Sequence, residues 1–443
     1  MNQHLWRIAV TAIAVLLFLS SCTRIVSSTF SEQDLALHKV YGTAPCDQEQ
    51  TPGSSGVQTL RLFLENRDQT SFPIEALRIP NLSLSNKNLE ILYPTVLNAE
   101  NGQKAANVKV LLSLEPRVFP VYPHPNYMER KRLFPKKRPP KAIMLLLEES
   151  DTANAKDPAY SRRIAIQEWL RSYLHTEKNK GPLDLFGLRL MRHGILHEQD
   201  NIFFRWPNEE QFIDPQGQKH GLIYTTHETK NSSPGSKKRM IRALQKGGIQ
   251  HRGNTTLYDS VIRGGKHLRA LSANGRQSHY TPALIAMIVQ PDRSTRYPKE
   301  LKKLHKGIQQ LQSTGPRRFD FIPFMGIQYP NRSAESENLW GRHLQEVCQL
   351  SKASSLGING HEVHFGQIFH VHPNPQKYES SVKTALIGAY HAMRGYVEAK
   401  MQYQLIGAEP NQRYLVTFAL GVEYKGRRNL HKDLPIIGFY VET

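Results

Sequence analysis

The oxygen-rich stretch Glu148-Glu149-Ser150-Asp151-Thr152 stands directly behind the apolar run Ala142–Leu147. An unbroken apolar run, entered through Pro139-Pro140-Lys141, reads as a strand buried on both faces. Carboxylates and hydroxyls just past the end of such a strand lie where open α/β sheets place their ligand sites. A second group of candidate ligands is nitrogen-based: His361-Glu362-Val363-His364 and Phe369-His370-Val371-His372. His370 and His372 can share one face of a strand and bind Zn2+ with a third ligand. His361 and His364 are too close for the His-Glu-x-x-His metalloprotease spacing. Histidines on an exposed strand of a His-rich chain need no metal at all. A Ser nucleophile elbow, a phosphate-binding Gly loop and a Cys–His protease signature are missing, so no catalytic residue is assigned.

The spacing Glu148-x-Ser150-x-Thr152 resembles Asp-x-Ser-x-Ser, the first metal-site motif of the von Willebrand factor A (vWA) family. Gly253-Asn254-Thr255-Thr256-Leu257-Tyr258-Asp259-Ser260 resembles the second motif, a Gly-rich turn whose Thr opens a helix; the Leu-Tyr-Asp that follows is typical of bacterial vWA proteins. Thr255 then corresponds to the metal-site Thr, and Thr at a helix start is also a plain N-cap. Gln290-Pro291-Asp292 stands where the family has Thr-Asp-Gly, which makes Asp292 the matching acid. The family holds a divalent cation at the C-terminal edge of its sheet through oxygen ligands, and a carboxylate of the partner completes the shell. The resemblance therefore implies a metal set of Glu148, Ser150, Thr152, Thr255 and Asp292, whose hard donors suit Mg2+ or Ca2+. Two departures count against a filled site. Glu148 reaches one methylene further than Asp, which a tight octahedral Mg2+ site does not absorb easily. The third motif lacks its Thr and Gly neighbours. A retained fold with a degenerate site is the competing expectation.

These residues need a scaffold. Ile164–Leu174 carries its apolar groups largely on one face and reads as a helix; Leu183–Met191 reads as the next strand. Ile202–Trp206 is an apolar run before a variable loop, and Met240, Ile241 and Leu244 mark a short helix closed by Gly247-Gly248. Leu257, Val261, Leu268 and Leu271 continue one helical face behind Thr255. Ala283–Val289 is a second fully apolar strand, expected beside Ala142–Leu147. Leu301, Leu304, Ile308 and Leu311 form a helical stripe. Phe319–Ile327 follows as a strand, Leu339–Leu350 as a helix, and a long helix is expected within Thr384–Leu405. This alternation predicts a doubly wound, mostly parallel α/β sheet over residues 141–405.

Around this domain the chain changes character. Residues 1–22 read as a lipoprotein signal peptide: Arg7, an apolar segment Ile8–Leu19 too short to span a bilayer, then Leu19-Ser20-Ser21-Cys22. That ending resembles the bacterial lipobox, which marks Cys22 for lipidation and implies a membrane anchor without a transmembrane helix. Thr23 in place of Asp resembles an outer-membrane address. Residues 23–56 read as a polar tether with one short helix around Glu32–His38. Val57–Leu64, Ile91–Thr95 and Val108–Leu114, with a turn at Asn101-Gly102, suggest a separate β-sandwich-like module over 57–115. Pro94 restricts its strand to an edge. Residues 116–140 are rich in Pro and basic residues and read as a semi-rigid linker. Tyr414–Leu420 and Ile436–Val441 are late strands of a C-terminal β segment, 406–443, with a hairpin connection at Lys425–Asn429.

The 443 residues carry 58 Lys and Arg against 38 Asp and Glu, a formal charge of +20. That balance favours anionic partners or serves solubility, and no motif points to specific nucleic-acid binding. With Cys22 lipidated, Cys46 and Cys348 remain, either as a disulfide or as two thiols. The expectation is a non-catalytic lipoprotein of the cell envelope that binds a surface or envelope protein through its vWA-like domain. The alternatives are a zinc-dependent envelope enzyme using His361–His372 and a basic structural protein that holds anionic wall polymers.

Overall fold

The computed structural model describes residues 37–45, 53–67, 71–72, 89–121, 141–176, 185–191, 212–213, 219–220, 244, 257–273, 281–288, 302, 306–307, 322, 324–330, 347, 352–353, 363–364, 366–393, 395–424, 427–429 and 434–443. In chain order these form β1 (Leu37–Thr43), β2 (Ser55–Asn66), β3 (Leu89–Asn98), β4 (Lys109–Val121), β5 (Lys141–Glu148), α1 (Asp151–Lys156), α2 (Ser161–Thr176), β6 (Leu185–Met191), β7 (Phe212–Ile213), β8 (Lys219–His220), α3 (Leu257–Ala273), β9 (Thr281–Ile288), β10 (Phe324–Gln328), β11 (Lys352–Ala353), β12 (Val363–His364), β13 (Gln367–His370), α4 (Tyr378–Ala392), β14 (Tyr396–Ile406), β15 (Arg413–Tyr424), β16 (Arg427–Asn429) and β17 (Ile436–Glu442).

The inner sheet of the α/β unit has the order β13-β10-β9-β5-β6, with every pair parallel. The two apolar runs are neighbours, in register from Lys141 against Thr281 to Leu147 against Met287. The chain steps from β5 outward to β6, then returns to β9 on the other side. The direction of winding reverses between β5 and β9, the kind of place where open α/β sheets bind their ligands. Period-two alternation divides the side chains of β5. Ile143, Leu145 and Leu147 share a core with Ala165, Ile166 and Trp169 of α2 and with Val382, Leu386 and Tyr390 of α4. Met144 and Leu146 point the other way and, with Leu284, meet α3 where Gly264 has no side chain. Trp169 and Tyr390 close the α2–α4 contact edge to face, 6.1 Å between centroids.

The β strands outside this unit form one sandwich. One sheet has the order β1-β2-β14-β4; in the other, β15 is flanked by β3 and β17 and extended by β16. Leu60, Leu62 and Leu64 of β2, Met401 and Leu405 of β14, Val416 and Phe418 of β15 and Phe439 of β17 share its core. The segments expected as two modules, 57–115 and 406–443, therefore belong to a single sandwich: β3 of the first pairs with β15 of the second, β2 and β4 are joined through β14, and all of them share one core. The expected tether, 23–56, contains β1, which pairs antiparallel with β2. The expected linker, 116–140, begins inside β4, where Pro120 lies opposite Val397 next to a bulge, a place that tolerates Pro in an edge strand. The turn at Asn101-Gly102 is present but leads from one sheet to the other instead of closing a hairpin.

The α/β unit is an insertion between β4 and β14. It ends earlier than expected, at α4: Gly395 has φ of +127°, and the residues after it form β14 rather than a continued helix. Met401, Tyr403 and Leu405 are buried while Lys400, Gln402, Gln404 and Ile406 are exposed, an alternation of period two that a helix cannot present. Tyr41, Phe63 and Tyr396 of the sandwich join the α/β core, and Phe63 tilts against Phe369 at 5.6 Å. Arg61 Nη1 donates to the Gly366 carbonyl at 2.9 Å, and Thr43 Oγ1 donates to that of Ile368. The expected elements at 202–206, 240–248, 301–311 and 339–350 lie outside the described residues apart from isolated positions. Among the described residues no helix is long and apolar enough to cross a membrane.

Candidate functional site

The C-terminal end of β5 turns directly into a dense polar network. Glu148, Glu149 and Ser150 all have 0% exposure. Ser150 Oγ donates to Glu148 Oε1 at 2.7 Å and accepts from the Ala153 N–H at 3.1 Å, so it caps α1 in the usual N-cap geometry. Beneath this loop lie two buried arginines from the first turn of α2. Arg162 donates through Nε to the Glu148 carbonyl (3.0 Å), through Nη2 to Glu149 Oε2 (3.1 Å) and Asn154 Oδ1 (2.6 Å), and through Nη1 to Asp157 Oδ2 (3.0 Å). Arg163 donates through Nε to Glu149 Oε1 at 2.8 Å and through Nη2 to Oε2, a two-pronged pair.

Asp157 completes the network. Its two oxygens accept from the backbone N–H groups of Ser161 (2.9 Å) and Arg162 (3.1 Å), and the Tyr329 hydroxyl donates to it at 3.3 Å. Burial works against the charge on Arg162, but Glu149 and Asp157 outweigh it and hold its pKa above the ordinary value. Burial, then the neighbouring Asp157, pushes the Tyr329 phenol well up. Both groups keep their protons throughout the neutral range.

Of the residues expected to bind metal, the structure brings Glu148 and Ser150 into direct contact. Thr152 lies in the first turn of α1, half-buried. Thr255, just ahead of α3, and Asp292, beyond β9, lie outside the described residues, as does Cys22. Two of the five expected donors, Glu148 and Ser150, are closed off as folded. Mg2+ keeps several waters, yet Glu148 and Ser150 present no surface and are bonded to each other. The nearby Glu149 and Asp157 are already neutralised by guanidinium groups. Among the described residues no group of three or more His, Cys, Asp or Glu could hold a metal ion.

Sequence reasoning passed over Arg162, Arg163 and Asp157. The signal was present in Glu149: an acid at the end of a buried strand requires a positive partner, and a nearby Arg-Arg pair supplies two.

Of the histidine segment, His361 and the His364 side chain lie outside what is described; His370 and His372 are each held by protein neighbours. The His370 ring meets Tyr440 edge-on at 4.8 Å, and Arg413 lies over the same Tyr440 ring at 4.2 Å. Burial, helped by Arg413, lowers the His370 pKa to about 3. His372 Nδ1 accepts from the Asn374 N–H at 3.0 Å, and burial with Lys377 lowers its pKa to about 4. A further histidine, His391, was not singled out in the sequence. It lies at the junction of insertion and sandwich, with Nδ1 2.9 Å from Ser71 Oγ and Nε2 2.9 Å from Glu65 Oε2, which also accepts from the Tyr41 hydroxyl at 2.8 Å. Ser71, His391 and Glu65 have the connectivity of a nucleophile, base and orienting acid, but their exposures are 8%, 1% and 3%. As folded, the trio closes a domain junction.

No family model matches the chain, and no curated protein matches it. Among solved structures it is similar to the human COPII-coat protein Sec24c, at 9% identity over 76% of this chain and 46% of that one, with a TM-score of 0.34. It is also similar to the pilus adhesin SpaC from Lactobacillus rhamnosus GG, at 10% identity over 93% and 48%, TM-score 0.32. Proximal thread matrix protein 1 from the mussel byssus, solved with a zinc-occupied MIDAS motif, shows 12% identity over 56% and 48%, TM-score 0.30. The chain spans about half the length of these structures. TM-scores of this size carry no argument about function.

Proposed function

We propose that the chain is a lipid-anchored, non-catalytic protein of the bacterial outer membrane whose vWA-like, doubly wound insertion binds another envelope or surface protein. The observation that carries this reading is the reversal of winding between β5 and β9, the place where open parallel sheets bind their ligands. The binding lip is the start of α1, where Asp151 is exposed and Thr152 half-buried. The lipobox-like Leu19-Ser20-Ser21-Cys22 supports the anchor, and the net charge of +20 adds a general attraction to acidic surfaces.

The test is capture of the partner from the native envelope by the wild-type protein, by Asp151→Arg with Thr152→Arg, and by Leu111→Arg on the sandwich. Loss of the captured protein in the double variant alone supports the reading, at a salt concentration that screens general electrostatics. Equal capture by all three places the interface elsewhere. Mass spectrometry of the mature N-terminus checks the anchor separately: an unmodified Cys22 would refute it.

A further inference from the structure

We propose that Arg162 and Arg163, rather than a divalent ion, are the cations that organise the end of β5, so that this edge is held in its binding conformation without metal. The inference deepens the proposed function by giving its binding edge an internal organiser.

A divalent ion at this edge would have a structural task. With Glu148, Ser150 and Thr152 among its ligands, it would tie the end of the central strand to the loop and helix that follow. Arg162 already makes those ties. Its acceptors are the Glu148 carbonyl at the end of β5, the Glu149 carboxylate in the loop, Asn154 within α1 and Asp157 at the C-cap of α1. A guanidinium suits this role because its donors lie in a fixed planar fork and stay charged when buried. Arg163 grips Glu149 from the other side and lies over the Tyr160 ring at 4.5 Å. Tyr160 has φ of +55°, a left-handed backbone that a bulky residue rarely adopts. Its carbonyl accepts from the Arg163 N–H at 2.9 Å, and its N–H donates to the Asp157 carbonyl at 3.0 Å. The segment from Glu148 to Arg163 is thus over-determined by its own charges.

The same charges disfavour an added ion. Two guanidinium groups are fixed on the acids nearest the loop, and a divalent cation brought beside them meets like-charge repulsion in a poorly screened interior. Glu148 and Ser150, two of the five expected donors, have 0% exposure and are hydrogen-bonded to each other. They leave no open position for the waters or partner oxygen that a hard ion retains.

The experiment uses the full chain. Thermal melts are recorded in EDTA and with millimolar MgCl2, CaCl2 or MnCl2, and each ion is titrated calorimetrically into wild type and Ser150→Ala. The expected result is a melting temperature that neither chelator nor ion moves, and no stoichiometric binding that Ser150→Ala removes. Arg162→Lys keeps the charge but loses the fork. It is expected to melt several degrees lower and to lose hydrogen-exchange protection across residues 149–157. Stoichiometric binding that raises the melting temperature and vanishes in Ser150→Ala would overturn the proposal, as would an Arg162→Lys protein that melts like wild type. Weak ion binding unchanged by Ser150→Ala is surface binding and agrees with it. Failure of the partner-capture test would sink the binding role while leaving these melts decisive.

Discussion

Glu149 accepts hydrogen bonds from both Arg162 and Arg163 with no exposure to water. Removing the acid leaves two buried guanidinium groups short of their counter-charge, and that loss is what makes breaking a buried pair expensive. Glu149→Ala should therefore lower the unfolding free energy in urea by about 3–5 kcal/mol. Asp151→Ala, two residues on but exposed, should change it by no more than about 1 kcal/mol, the scale of an acid in the first turn of a helix. Equal effects would mean that the network contributes little. His370 gives a second residue-scale prediction. Its pKa is about 3 in the fold and about 6.5 in an unfolded chain. Between those values the unfolded state binds the extra proton, so stability falls as pH drops from about 6.5 towards 3. His370→Phe keeps a ring against Tyr440 without the titration, and its melting temperature should fall less than that of wild type between pH 7 and pH 4.

At the scale of elements, what could be read from the chain follows how local each signal is. β5 and β9 were legible because strands covered on both faces are apolar throughout, and a run such as Ala142–Leu147 needs no distant partner to be recognised. β14 was not. Its Met401-Gln402-Tyr403-Gln404-Leu405 alternation is plain, but it follows closely on the helix-forming residues of α4, and only Met393-Arg394-Gly395 separates the two elements. The arginine pair was missed for a different reason. Charge at the start of a helix ordinarily faces water, and its burial follows from a fold that brings Glu149 and Asp157 against it. Gly102 joins two elements in a way that no local signal announces. It has φ of +70°, and a Cβ there would sit 2.8 Å from the backbone N of Asn374 in the insertion. Gly102→Ala should cost about 1–3 kcal/mol from the backbone strain alone, measured by urea unfolding. An unchanged midpoint would show that the sandwich turn and the loop before α4 can part freely.

Across the whole molecule the sandwich and its insertion share a core through Tyr41, Phe63 and Tyr396, sealed by the buried Glu65–His391 pair. Burial alone would raise the Glu65 pKa, but His391 first and then Tyr41 and Lys39 bring it below the ordinary carboxylate value. Its contribution is thus present above the unfolded carboxylate range and is lost as pH falls through the lower folded value. Acid acts on His370 and Glu65 in the same direction, so the junction should weaken as a unit. Far-UV and near-UV circular dichroism should report one coincident thermal transition at pH 7. Two separated transitions at that pH would show that the units unfold independently. The position of the insertion also imposes an order on biosynthesis. β1 to β4 leave the ribosome well ahead of β14, which pairs between β2 and β4, and of β15 and β17, which share their core from the other sheet. The inserted sheet has all five of its strands while the sandwich still has only four of its eight. The first strands made are therefore among the last to be enclosed, and through that interval they are exposed to unwanted pairing. A stop after residue 424 would remove β16 and β17, and its damage would fall far from the stop in sequence: β1 would lose the cover of Ile437 at Gly42 and keep only that of β15 from the opposite sheet, while the inserted sheet kept every strand.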